Sequence, residues 1–175
     1  MSEELAIAER IAGVFRTIGQ TRMAGVPILN AALTVEVVGL RPFGENWFCV
    51  LITPWFMNML LLPRAADDAA WLNLRPGESQ RHVLPCGAFS FLVGEEEGLG
   101  TYQCCSLFSP VFEFTAQDQA VQTAEAIISE VMKADVQEPP GQQEVTQATL
   151  KPDLESPSRR NLLAMARDAI AGEGT

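Results

Sequence analysis

A chain of 175 residues, 47% of them apolar, with a mean hydropathy of +0.10, is long enough to bury one ordinary core without disulfide staples. Its 12 basic against 22 acidic residues give a net charge of −10, which repels phosphate backbones and sets nucleic acid aside as a partner. The N-terminus (Ser2, Glu3, Glu4) reads as no export signal, and the longest apolar run is broken by Thr53, Pro54 and Asn58 and is too short for a bilayer. Four unpatterned cysteines in such a chain are expected to be reduced thiols in the cytoplasm.

Taken in chain order, residues 3 to 19 predict a helix, because Ile7, Ile11, Val14, Phe15 and Ile18 recur at offsets of three and four. After the Gly25-Val26-Pro27 break, Leu33 to Leu40 reads as a strand, with Leu33, Val35 and Val37 on one face. Residues 41 to 46 supply turn chemistry, so Trp47 to Thr53 is expected to return antiparallel beside that strand. Pro54 cannot donate to a ladder and stops it. Met57 to Leu62 then resumes as a third extended piece ended by Pro63, a helical turn over Trp55 to Leu60 being the rival reading.

Residues 64 to 80, rich in Ala, Asp, Arg and Pro, read as a mobile connection. A hairpin follows, with Phe89, Phe91 and Val93 inward, a turn at 94 to 98, and Thr101 to Phe108 returning. Thr115 opens a helix with Asp118 in a capping-box arrangement, and Val121, Ala124, Ile128 and Val131 mark its buried stripe. The folded domain is expected to span residues 1 to 136. Residues 137 to 157, with Pro139, Pro140, Pro152 and Pro157, have the composition of a flexible linker, and residues 158 to 175 hold a short amphipathic helix. Grouped rather than alternating elements favour an α+β fold, an antiparallel sheet with flanking helices, both long helices being expected on one face, in a single domain plus a flexible C-terminal tail.

No complete catalytic set is legible. His82, the one histidine, has no visible nucleophile and acid around it, and no G-x-S-x-G elbow occurs. If the hairpin turns about Glu96, Cys86 and Cys105 share a face and Cys104 takes the other. The spacing lacks C-x2-C, so no metal site is expected, and a small cysteine-based redox or metal-binding protein built on Cys86, Cys104 and Cys105 is the alternative reading. Gly94, Gly98 and Gly100 flank three glutamates that would repel a phosphate, which makes that loop a turn. Trp55, Phe56, Met57 and Met59 combine aromatics with adaptable methionines, a composition that suits a peptide-binding surface as well as a core. Near the C-terminus, S-R-R-N-L-L from Ser158 echoes the S-R-R-x-F-L pattern of twin-arginine signals, set beside the simpler reading of a basic helix start whose leucines dock on a surface.

Two blocks, C-V-L-I-T-P-W-F-M-N-M-L-L-L-P from Cys49 and L-P-C-G-A-F-S-F-L-V-G-E…Y-Q-C-C-S-L-F-S-P from Leu84, resemble the HybE/HupJ family of nickel-iron hydrogenase assembly chaperones. The likeness covers roughly residues 5 to 135 and the S-R-R tail. It implies a cytoplasmic, non-enzymatic α+β accessory protein without a bound cofactor, assisting maturation of an uptake hydrogenase. Its partner would be the small iron-sulfur subunit precursor with its twin-arginine signal, the large subunit and other maturation proteins being further candidates. The acidic balance suits a precursor with paired arginines. The residues expected to carry binding are Thr53, Pro54, Trp55, Phe56, Met57, Met59, Cys105, Ser106, Ser109 and Pro110, with Arg159 and Arg160 of the tail.

Overall fold

Apolar side chains on both faces of two adjacent strands decide the architecture. In the computed structural model, which describes residues 1–133 and 162–164, β2 (Asn46–Ile52) and β3 (Met57–Pro63) are buried along nearly their whole length. They lie inside a six-stranded antiparallel sheet of order β1-β2-β3-β6-β5-β4, with β1 (Glu36–Phe43) and β4 (Ser79–Leu84) at the edges and β5 (Gly87–Glu96) and β6 (Gly100–Phe108) completing it. Because successive side chains point to opposite faces, Phe48, Val50 and Ile52 enter one core while Trp47, Cys49 and Leu51 enter another.

Each core has its own helix. α1 (Glu3–Gln20) lays Ile11 and Phe15 against Trp47, Cys49, Leu51, Leu60 and Leu62. α3 (Gln117–Val131) lays Ala120, Ala124, Ile127, Ile128 and Val131 against Phe48, Val50, Met59, Phe91 and Leu107. The helices therefore cover opposite faces, not the single face expected from the sequence. A strand that is apolar on both sides needs cover on both sides.

Ser2 caps α1, its hydroxyl accepting from the Leu5 N–H at 3.3 Å, and Glu3 and Glu4 occupy the first turn, where the helix dipole favours anions. β1 begins at Glu36, three residues after the expected start, and continues through Arg41-Pro42-Phe43, which the sequence marks as a turn. Pro42 is tolerated because β1 is an edge strand. Leu33 is buried ahead of the strand as a loop anchor. The ladder between β1 and β2 shifts register between Val38 and Arg41, around Gly39 at φ +66°. A Cβ there would stand 2.5 Å from Ile128 Cδ1 on α3. Gly39→Ala is expected to cost about 1–2 kcal/mol, combining left-handed strain with that clash, and urea denaturation measures it.

The connection at 64 to 80 contains two elements that were not expected: the four-residue α2 (Ala69–Leu72), which buries Trp71, and the start of β4. Trp71 Nε1–H donates to Asn46 Oδ1 at 3.0 Å, and Asp68 caps the turn through the Ala70 N–H. α3 starts after Ala116 without a side-chain cap. Thr115 donates from its N–H, and at 3.3 Å from its hydroxyl, to Gln119 Oε1, so the expected Asp118 box does not form. The expected linker at 137–157 and most of the tail at 158–175, with Arg159 and Arg160, lie outside the described residues.

Candidate functional site

The segments singled out in the sequence meet at one end of the sheet. The T-P-W-F turn joins β2 to β3, and Met57 at the start of β3 pairs with Phe108 at the end of β6, so Ser109-Pro110 leaves the sheet beside that turn. The Pro85-Cys86 turn joining β4 to β5 lies at this end too, tied to α3 by the Cys86 N–H donating to the Val131 carbonyl. Asn30 holds the loops together. Its backbone N–H donates to the Pro54 carbonyl at 2.8 Å, and its side-chain Nδ2 donates to the carbonyls of Val111 and Phe114 at 2.9 and 2.8 Å.

Thr53 builds the turn from inside. It is fully buried, and its hydroxyl accepts from the N–H groups of Trp55 (3.2 Å) and Phe56 (3.0 Å) while donating to the Phe56 carbonyl. Trp55 turns inward and packs against α1: a Cβ on Gly19 would stand 3.3 Å from its ring. Phe56 stands edge-on to both Trp55 and Phe15, with centroids 5.6 and 5.8 Å away.

The expected binding residues divide accordingly. Thr53, Trp55, Met57, Met59 and Cys105 are core, with Met59 paired across the strands to Cys105. Pro54, Phe56 and Ser106 are half-buried, and Ser109 and Pro110 are exposed. Sequence reasoning missed two exposed apolar residues on the loops that Asn30 ties together: Phe112, 58% exposed, between the carbonyls that Asn30 grips, and Ile28, 41% exposed, two residues before Asn30. The signal available was an aromatic, Phe112, in a short loop otherwise anchored by buried Val111 and Phe114. Beside Ser106 across the strands, Asn58 is the one polar position of M-N-M-L-L-L, and its Oδ1 is buried without a hydrogen-bond partner among the described residues. An orphaned buried acceptor costs about 1–3 kcal/mol.

The four thiols divide between the two faces of the sheet. Cys49 and Cys104 belong to the α1 face and Cys86 and Cys105 to the α3 face, so the adjacent Cys104 and Cys105 point away from each other through the sheet. Burial pushes the Cys49 thiol up to about 12 and raises that of Cys104, leaving both protonated at neutral pH and weak as nucleophiles or ligands. Among the described residues, no group of three or more His, Cys, Asp or Glu is placed to hold a metal. His82 Nε2 lies 2.6 Å from the Gln103 carboxamide oxygen, and its ring packs edge-on against Phe91, an arrangement that positions the imidazole. No described helix is long and apolar enough to cross a membrane.

Comparison with known proteins agrees with this architecture. The chain is 39% identical over 121 residues to the probable rubredoxin HupJ of Rhodobacter capsulatus, matching 69% of this chain but spanning only 43% of that longer protein. It is 38% identical over 131 residues to the hydrogenase expression/formation protein HupJ of Bradyrhizobium diazoefficiens, covering 75% of each. The fold is similar to the solution structure of HybE from Escherichia coli, with a TM-score of 0.60 and 21% identity over 83% of this chain and 90% of that one. The family described as NiFe-hydrogenase assembly, chaperone, HybE matches residues 6–165, and the chain belongs to that family.

Proposed function

We propose that this protein binds a hydrogenase subunit precursor, the small iron-sulfur subunit with its twin-arginine signal, in the cytoplasm before export, and performs no bond-making of its own. The observation that carries the reading is the convergence of the family-like segments on one sheet end, where Pro54, Phe56, Pro110, Phe112 and Ile28 are half-buried or exposed on the loops that Asn30 ties together. Loops fixed by a rigid sheet are where binding residues are usually displayed. A net charge of −10 favours a client whose signal carries paired arginines.

The test is affinity purification of the tagged chain from cells making the hydrogenase, under reducing conditions. The precursor with its signal attached is expected to co-purify, and a precursor lacking the signal is expected to be recovered at least about tenfold less. Equal recovery of both forms would refute the role given to the signal. No hydrogenase subunit at all, with stoichiometric metal on the chain instead, would favour the cysteine-based alternative.

A further inference from the structure

Leu162 returns to the domain from far along the chain. It is 5% exposed and belongs to the core on the α3 face, Leu163 packs partly buried against the same core, and Ala164 is exposed. Five residues of α3, Ala120, Ala124, Ile127, Ile128 and Val131, are buried in the same core. The same side carries Phe43, Leu74, Val121 and Met132 as partly buried apolar residues, so an apolar dock extends beyond the close-packed centre.

A short helix is marginal in water and is held only by what it buries. Here the described anchor is one fully buried leucine and one half-buried neighbour, which favours the docked state by roughly 10- to 150-fold. Segments held by few buried side chains belong to the low-stability end of a fold. Its sequence, S-R-R-N-L-L from Ser158, places paired arginines directly before the docking leucines. The family match runs to residue 165 and so takes in this segment.

We propose that the α3 face is a docking site for a short helix bearing two adjacent large apolar residues behind paired arginines, and that the chain's own Leu162-Leu163 segment occupies it until the client's signal takes its place. The client half rests on the function proposed above. α3 begins at Gln117, directly after the loop that displays Phe112, so the dock and the sheet-end surface lie on consecutive stretches of chain. Covalent attachment lets the resident segment compete as though present at a concentration on the order of 1 mM, so it rejects weak ligands while yielding to a client held at both places.

The test uses the full chain and a fluorescent peptide copying residues 156 to 170, read by anisotropy. Leu162→Asp in the protein vacates the dock and is expected to raise affinity for the peptide at least about tenfold over the unmodified protein. A peptide that itself carries Leu162→Asp is expected to bind neither. Equal affinity of the two proteins, or equal binding of the two peptides, overturns the proposal. Leu162→Ala is the milder companion and is expected to give a smaller gain; unfolding of both variants would make the segment part of the core and overturn it as well. The unlabelled twin-arginine signal peptide of the small subunit is expected to displace the bound probe. If it does not, while the precursor still co-purifies with the chain, the exchange is wrong and the function proposed above stands.

Discussion

Replacing Thr53 by valine is expected to destabilise the protein by roughly 2–4 kcal/mol, although the two side chains have nearly the same shape. The position is fully buried, and valine fills it, but the hydroxyl that accepts from the Trp55 and Phe56 N–H groups is gone. Two donors at a buried turn are then stranded, at about 1–3 kcal/mol each. For a domain of this size that corresponds to a fall in Tm of about 5–15 °C. Thr53→Ser keeps the acceptor and loses one methyl group, so its cost is expected to stay near 1 kcal/mol. Thermal and urea melts of both variants give the comparison. Valine tolerated to within about 0.5 kcal/mol would mean that the turn is held by Pro54 and its packing instead of by the Thr53 hydroxyl.

Phe112→Ala is expected to act in the opposite way, leaving the free protein within about 0.5 kcal/mol while weakening precursor binding by roughly 30-fold. The side chain is 58% exposed, so truncation opens no cavity. An aromatic that becomes buried at the centre of an interface typically contributes about 2 kcal/mol or more, which is that 30-fold. Leu92→Ala removes an equally exposed apolar side chain from β5 and is the control, with unchanged binding expected. Titration of the purified precursor against the three proteins checks this. A large loss for both variants would point to generic stickiness, and a loss confined to Leu92→Ala would move the site.

Much of the fold was legible because it rests on local patterns. The stripe of Ile7, Ile11, Val14, Phe15 and Ile18 gave α1 to within a residue, unbroken apolar runs bounded by turn residues and prolines gave β2 and β3, and inward alternation around a turn gave the β5–β6 hairpin. What failed involved edges and long-range packing. β4, S-Q-R-H-V-L, has few apolar residues because it lies at the sheet edge, and Val83 faces solvent. β1 runs through Pro42 for the same reason: an edge position removes the penalty that makes proline read as a stop. The placement of both helices on one face overlooked a signal that was present. W-F-C-V-L-I and M-N-M-L-L-L do not alternate, and a strand apolar at every position demands a helix on each side.

The candidate site divides along the same line. Motif residues were found where sequence contrast was high, yet contrast marks burial as readily as contact, so Thr53, Met57, Met59 and Cys105 are supports for the surface. Met59 packs within the sheet opposite Cys105, where its adaptability fills a core. Asn30, which joins three loops, went unmarked in the sequence, because its partners at positions 54, 111 and 114 become neighbours only once the sheet has formed.

Site-specific photo-crosslinking in cells that make the hydrogenase tests the central claim most directly. A photoreactive residue at Phe112 or Pro110 is expected to capture the small-subunit precursor, and the same residue at Leu92, exposed midway along β5, is expected to capture little. Crosslinks to the precursor from position 92 but not from 110 and 112 would contradict the account.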